Sequence, residues 1–90
     1  MWHLYMIQST VTGCIYTGIS TDVSRRVKEH NGSKRGAKYT RRGRPWVLIY
    51  TAPCGWQSSA MKREAAVKRL TRKQKLALAA AYFPIGIKAC

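Results

Sequence analysis

The sequence predicts an α+β domain with three strands and about three helices. Two runs rich in strand-forming residues lie within residues 2–20 and are separated by a short turn, which is typical of a hairpin. A third apolar run follows at residues 46–51, and helical spacing appears after the hairpin and in the second half of the chain. Ninety residues suit one such domain and leave little room for a second.

The hairpin is predicted from residues 2–9 and 14–20, joined by a loop of residues 10–13. With this loop length, Tyr5 faces Gly18 and Ile7 faces Tyr16 across the two strands. Because side chains alternate between the faces of a strand, Tyr5 and Tyr16 become diagonal neighbours on one face.

The first helix is predicted over residues 22–30, where Thr21 serves as the N-cap and Asp22 lies in the first turn. Arg26 and His30 stand four residues apart on one edge of this helix, beside its apolar stripe. Residues 31–44 are polar, basic and without periodicity, and are therefore predicted to form a mobile loop.

The third strand is apolar enough to be predicted as buried, and the Pro-Cys-Gly sequence at residues 53–55 is expected to break it. Ser58 or Ser59 can cap a second helix that runs to about residue 70. Thr71 begins a third helix that runs to about residue 82.

Charge is the strongest compositional signal. Seventeen Lys and Arg against three acidic residues give a net charge of +14. So many positive charges repel one another in a folded chain, which indicates a polyanionic partner that neutralises them. Nucleic acid fits best, and an acidic membrane surface is the alternative. The latter lacks support from an amphipathic helix with bulky apolar anchors.

The chain shows no sign of export or membrane insertion. No apolar run approaches the ~18 residues of a spanning helix, and the N-terminus does not resemble a signal peptide. The three widely spaced cysteines are interpreted as reduced thiols, so a cytoplasmic location is expected. The domain is expected to span residues 1–83, and residues 84–90 are expected to form a loosely ordered tail.

The three acidic residues are the carboxylates available to hold a metal ion. Asp22 is interpreted as a helix-capping residue and Glu29 as a surface residue. Glu64 shares a helical face with Ala60 and Val67, which are apolar. A carboxylate in that position either pairs with a cation or holds a divalent ion against phosphate, and we favour the ion.

The basic segment before the third strand combines cations with an aromatic side chain. This mixture suits phosphate contact together with base stacking, and a solvated linker is the alternative. The candidate nucleic-acid-binding residues are Lys34, Arg35, Lys38, Tyr39, Arg41 and Arg42.

Several short motifs follow one another in a characteristic order. His-Leu-Tyr stands at residues 3–5, and Tyr-Thr-Gly opens the run of residues 16–27. Arg26, His30 and, much later, Glu64 follow on helices. This order resembles the GIY-YIG nuclease superfamily, in particular its compact stand-alone single-domain members, over about residues 2–76. The resemblance implies a three-stranded antiparallel sheet flanked by helices.

The resemblance also implies metal-dependent hydrolysis of phosphodiester bonds, of DNA more than RNA. Ninety residues leave no room for an attached targeting domain, so low sequence specificity is expected. Tyr16, alone or helped by His30, would accept or relay the proton of the attacking water. Arg26 would brace the phosphate, and Tyr5 would orient water or phosphate. Glu64 would hold one Mg²⁺ or Mn²⁺ ion as a Lewis acid.

A nucleic-acid-binding module with a nuclease fold but little or no catalysis is the alternative function. No asparagine follows Glu64, although many nucleases of the family have one there. Ile19 follows the second motif where some of them carry lysine. The sequence leaves the oligomeric state open.

Overall fold

The computed structural model describes residues 1–32 and 38–82. They form a three-stranded antiparallel sheet in the order β2–β1–β3 with three α-helices, which confirms the α+β fold. The elements are β1 (Trp2–Ser9), β2 (Ile15–Ser20), α1 (Val23–Gly32), the 3₁₀ helix η1 (Lys38–Arg41), β3 (Trp46–Gly55), α2 (Gln57–Lys68) and α3 (Arg72–Tyr82). The expected tail at residues 84–90 lies outside the described residues.

The hairpin has the register that its loop length predicts. Tyr5 pairs with Gly18 and Ile7 pairs with Tyr16. The backbone N–H of Ser9 donates to the carbonyl of Cys14 at 2.9 Å, which closes the loop. β1 is the central strand of the sheet, and its inner residues are buried on both faces.

Each face of the sheet carries its own apolar core. On one face, Leu4 and Met6 pack in a cluster with Val67 of α2 and Ala79 of α3. On the other face, a second cluster contacts α1; its members are Tyr5, Ile7, Trp46, Tyr16, Val23 and Val27. Alternation along β1 thus sends its odd-numbered side chains toward α1 and its even-numbered ones toward α2 and α3.

β3 is longer and more exposed than predicted. The strand continues to Gly55, and Pro53 pairs with His3, so the predicted break is wrong. Proline is tolerated because β3 is an edge strand, whose outer side needs no N–H donor for the ladder. The same edge position leaves Val47 and Leu48 43% and 37% exposed, and the strand is therefore only partly buried.

Two predicted helix caps are wrong. Asp22, not Thr21, caps α1, because its Oδ1 accepts from the backbone N–H of Arg25 at 3.0 Å. α2 begins one residue after Trp56, which makes no side-chain cap hydrogen bond, so Ser58 and Ser59 lie inside the helix. Of the helices within residues 1–32 and 38–82, none is long and apolar enough to cross a membrane.

The cap of α3 is confirmed. Thr71 Oγ1 accepts from the backbone N–H of Gln74 at 3.2 Å. In return, Gln74 Oε1 accepts from the backbone N–H of Thr71 at 2.9 Å. This reciprocal pair satisfies two N–H groups at the start of the helix.

The loop predicted at residues 31–44 is partly ordered structure. α1 continues to Gly32, and residues 38–41 form η1, in which Thr40 is fully buried. The indole Nε1 of Trp46 donates to the carbonyls of Thr40 and Arg42, at 3.0 Å each. The prediction is wrong for η1 because hydrogen bonds from the Trp46 side chain are not visible in a pattern of hydrophobic periodicity.

Candidate active site

The hydroxyl of Tyr5 lies at the centre of a buried hydrogen-bonded group. Tyr5 is 1% exposed, and its Oη lies 2.7 Å from His30 Nε2. The guanidinium of Arg26 also interacts with this hydroxyl. Burial, followed by the nearby Tyr16, raises the pKa of Tyr5 to about 12, although Arg26 opposes the shift. Tyr5 is therefore a neutral phenol at pH 7.

Gly18 makes room for Tyr5. The two residues are directly paired across the hairpin. A Cβ atom on Gly18 would lie 2.6 Å from Tyr5 Oη and 2.7 Å from its Cζ, which is closer than atoms can approach. The glycine of the second motif thus lets the Tyr5 ring pack against the backbone of β2 while its hydroxyl contacts His30.

His30 is fully buried on α1, and both of its ring nitrogens are engaged. Nε2 meets Tyr5, and Nδ1 lies 2.7 Å from Thr40 Oγ1. Burial, followed by the positive charge of Arg26, lowers the pKa of His30 to about 4. The imidazole is therefore neutral at pH 7 and has one N–H donor and one acceptor.

Glu29 holds Arg26 in place. Its Oε1 accepts from Arg26 Nη1 at 3.0 Å, and its side chain is only 17% exposed. Partial burial disfavours the charged guanidinium, but its interactions with Glu29, to which it donates, and with Tyr5 outweigh that effect, so the pKa of Arg26 is raised. Glu29 was expected to be a surface residue; the Arg26 pairing makes it part of the site instead.

Tyr16 lies beside this group but outside its hydrogen bonds. Its ring meets the His30 ring edge-on at 5.0 Å between centroids and stacks with Tyr39 at 6.0 Å and 24°. Because both nitrogens of His30 bond other residues, the contact between His30 and Tyr16 is one of ring packing. Tyr16 is half-buried, whereas Tyr5 is closed off from solvent.

A cleft of about 550 Å³ adjoins Tyr16 at η1. Tyr39, 58% exposed, forms one wall and packs on Trp46 with ring centroids 6.1 Å apart. The cleft is lined by Thr12, Cys14, Lys38, Tyr39, Arg42 and Trp46. The side chains of Cys14 and Tyr39 hydrogen-bond each other across it. Cations and aromatic rings therefore line one wall of the candidate site.

Glu64 approaches from the opposite layer, on α2. Ala60 and Val67 on its helical face are buried, as predicted. The carboxylate pairs with Lys68 at 3.5 Å between Oε2 and Nζ, and the Glu64 side chain is 24% exposed. Its negative charge also opposes ionisation of Tyr5, so the two groups share one electrostatic environment.

The surroundings of Glu64 fit a weakly coordinated divalent cation. Within the described ranges, no group of three or more His, Cys, Asp or Glu side chains could hold a metal ion. Mg²⁺ does not require such a cage, because it keeps several waters and is commonly bound by one or two carboxylates together with substrate phosphate. One partly exposed carboxylate, such as that of Glu64, meets that requirement.

Of the predicted site residues, three lie around Tyr5: Tyr16, Arg26 and His30. Glu64 lies on α2, and its negative charge contributes to the raised pKa of Tyr5. Lys38, Tyr39, Arg41 and Arg42 lie in or next to η1, and Lys34 and Arg35 lie outside the described residues. Glu29 and Thr40 were missed: Glu29 could have been found from its i,i+3 spacing to Arg26.

Comparison with known proteins identifies the family. The model of the GIY-YIG catalytic domain matches residues 1–77. The chain belongs to the GIY-YIG family. Among its GIY-YIG relatives, a UPF0213 protein of Desulfotalea psychrophila is 46% identical over 92% of this chain and 82% of its own. A UPF0213 protein of Halobacterium salinarum is 49% identical over 87% and 99% of the two chains.

A solved structure agrees with this GIY-YIG assignment. The solution NMR structure of the UPF0213 protein BH0048 from Bacillus halodurans matches with a TM-score of 0.54 and 41% identity. The match covers 90% of this chain and 85% of the other. Membership of the GIY-YIG family indicates a nuclease-type domain, and the names of these relatives state no particular activity or substrate.

Proposed function

We propose that this GIY-YIG domain hydrolyses phosphodiester bonds in nucleic acid, DNA more than RNA, with a divalent cation, Mg²⁺ or Mn²⁺. The observation that carries the proposal is the convergence of Tyr5, Arg26 and His30 beside a more accessible Tyr16. The net charge of +14 supports a polyanionic substrate.

The solvent exposure of each side chain indicates the role that it would have in hydrolysis. Tyr16 would accept or relay the proton of the attacking water. Tyr5 was expected to orient water or phosphate, but it is only 1% exposed, and it would instead hold His30 and Arg26 in position. Arg26, whose side chain is 26% exposed, would brace the phosphoryl oxygens. A bound divalent cation would supply Lewis-acid polarisation of the phosphate, and Glu64 would hold it.

Phosphate and base contacts would come from η1 and the adjoining cleft. Lys38, Arg41 and Arg42 would neutralise phosphates, together with Lys34 and Arg35 outside the described residues. The exposed ring of Tyr39, backed by Tyr16, offers a surface on which a base can stack.

A nucleic-acid-binding module without catalysis is the second candidate function. One specific observation favours it: the Glu64 carboxylate already has a cation partner in Lys68. In that case Glu64 would only form an ion pair with Lys68 on the surface of α2, and the basic residues would bind nucleic acid without cleavage.

A matched pair of variants tests the proposal against this alternative. Labelled single-stranded, double-stranded and branched DNA and RNA are incubated with Mg²⁺, Mn²⁺ or EDTA. Glu64→Gln is expected to abolish metal-dependent cleavage while binding nucleic acid at least as tightly as the wild type, because one negative charge near phosphate is removed. Lys68→Gln removes the same ion pair but keeps the carboxylate, so it is expected to cleave normally.

Two outcomes would contradict the metal-ligand role. One is cleavage by Glu64→Gln at the wild-type rate. The other is an equal loss of cleavage in Glu64→Gln and Lys68→Gln, which would reduce Glu64 to a partner of Lys68. Because a surface pair of this kind contributes only about 0.3–0.5 kcal/mol, both variants should fold.

A further inference from the structure

Thr40 is a buried polar residue to which the reaction described above gives no role. It is fully buried in η1, and its Oγ1 lies 2.7 Å from His30 Nδ1. Its carbonyl accepts from the indole of Trp46, which fixes this part of η1 against β3. Thr40 therefore connects the segment that carries Lys38 and Tyr39 directly to His30.

The hydrogen bonds of Tyr5 indicate which nitrogen of His30 carries the proton in this structure. Arg26, which interacts with the Tyr5 hydroxyl, has only donors and cannot take its proton. At 1% exposure the Tyr5 proton needs an acceptor within the protein. Within residues 1–32 and 38–82, the remaining partner is His30 Nε2 at 2.7 Å, which must then be unprotonated.

The protonation state of the second ring nitrogen, Nδ1, follows from the direction of the hydrogen bond between Tyr5 and Nε2. A neutral imidazole that accepts at Nε2 carries its proton on Nδ1. That N–H points to Thr40 Oγ1, which accepts it. Burial and Arg26, which lower the pKa of His30 to about 4, are consistent with a single neutral form at pH 7.

We propose that Thr40 is a positioning residue of the candidate active site: it accepts from His30 Nδ1–H and so holds His30 in the tautomer that receives the Tyr5 proton at Nε2. The catalytic meaning of this step rests on the proposed function.

The test reads the tautomer directly by ¹⁵N NMR of the imidazole side chains, since long-range ¹H–¹⁵N correlations separate protonated from unprotonated ring nitrogens. The chain has two histidines, and His3→Gln assigns the signals. Wild type and Thr40→Ser are expected to show one His30 tautomer with the proton on Nδ1. Thr40→Val removes the acceptor and is expected to populate the Nε2–H form.

Cleavage is measured on the same proteins. Thr40→Val is expected to lose ~10-fold or more in rate, and Thr40→Ser to restore most of it, in line with other residues that orient a catalytic group. Wild-type protein with the proton on Nε2, or Thr40→Val with an unchanged tautomer, would overturn the proposal. A purely structural role would lower the melting temperature of Thr40→Val without moving the tautomer.

The tautomer measurement tests the positioning role of Thr40, and the cleavage assay tests the proposed function, so the two can fail separately. If the wild type does not cleave but shows the Nδ1–H tautomer in a Thr40-dependent way, the proposed function falls and the role of Thr40 in orienting His30 stands. If the wild type cleaves and the tautomer does not respond to Thr40, the positioning role alone falls. Should Thr40→Val not fold, the wild-type spectrum still decides between the two nitrogens.

Discussion

Tyr5 and Tyr16 carry the same hydroxyl group in different surroundings. Tyr5 is enclosed, bonded to His30 and Arg26, and its pKa is raised to about 12. Tyr16 is half-buried and meets its neighbours through ring contacts. A group that takes a proton from water must meet that water. Under the proposed function, Tyr16 would therefore meet the reacting water, and Tyr5 would hold the geometry of the site.

Tyr16→Phe tests this division. The ring and its contacts with His30 and Tyr39 remain, so the melting temperature should change by little. The hydroxyl is lost, and cleavage should fall by ~10²–10⁴-fold, the usual contribution of a general base. Rates are compared on a substrate that the wild type cuts. Cleavage by Tyr16→Phe at the wild-type rate would show that Tyr16 is only a packing aromatic.

Gly18→Ala tests the close approach of Tyr5 to β2. The added Cβ would lie 2.6 Å from Tyr5 Oη, so the ring must move and its hydrogen bond to His30 must lengthen. Overpacking of this kind costs about 1–3 kcal/mol, measured by chemical denaturation, and cleavage should fall with it. Gly32→Ala is the control, because a Cβ there meets nothing within 4 Å. Equal stability of the two variants would contradict the model of the Tyr5 site.

At the scale of elements, η1 connects the exposed cleft to the buried site. It carries Lys38 and Tyr39 on the outside and Thr40 on the inside, against His30. Trp46 secures it through two hydrogen bonds from its indole, and Asn31 in turn pairs with the backbone N–H and carbonyl of Trp46 at 2.6 and 2.8 Å. The end of α1, η1 and the start of β3 therefore form one hydrogen-bonded unit.

The cations of η1 and its C-terminal neighbour should set part of the salt dependence of binding. Each duplex phosphate that a cation neutralises contributes about 0.9 to the slope of log K against log salt. Replacing Lys38, Arg41 and Arg42 with serine should make that slope shallower by up to about 3. The control replaces three exposed cations of the α2–α3 region, which are Lys62, Arg69 and Lys73. An equal change in both slopes would mean that η1 has no special role in binding.

At the scale of the whole molecule, stability should depend on pH through His30. Its pKa is about 4 in the folded chain and 6.5 in the unfolded one, so between these values the unfolded chain binds a proton that the folded chain does not. Stability is therefore lost as pH falls from 6.5 to 4, by at most about 3 kcal/mol. Urea unfolding across this range measures it.

Two variants identify the group responsible for that pH dependence. His30→Gln removes the buried imidazole and should flatten the curve between pH 4 and 6.5, even though its overall stability is lower. His3→Gln keeps His30 and should leave the dependence in place. If the curve of His30→Gln has the same slope as that of the wild type, other groups account for the acid sensitivity.

The local patterns determined the fold class, the hairpin register and the order of the site residues. Loop length fixes which residues of a hairpin pair, so Tyr5 opposite Gly18 followed from sequence. The apolar flanks of Glu64 and the spacing of Arg26 and His30 were equally local. The sequence could not decide the cap of α1, because Asp22 and Thr21 are both good capping residues. In the structure α1 begins at Val23, and Asp22 is the residue that caps it.

Only the tertiary structure decided the burial and bonding of the site. Which strand lies at the edge of the sheet depends on long-range pairing, so the continuation of β3 through Pro53 was not predictable from its own residues. Thr40 and His30 form a hydrogen bond because α1, η1 and β3 pack together. Threonine and histidine are common on protein surfaces, so their residue types do not predict this buried contact. The sequence alone determined which chemical groups are present; packing decided that Tyr5 is enclosed and His30 neutral, because desolvation depends on neighbours from distant parts of the chain.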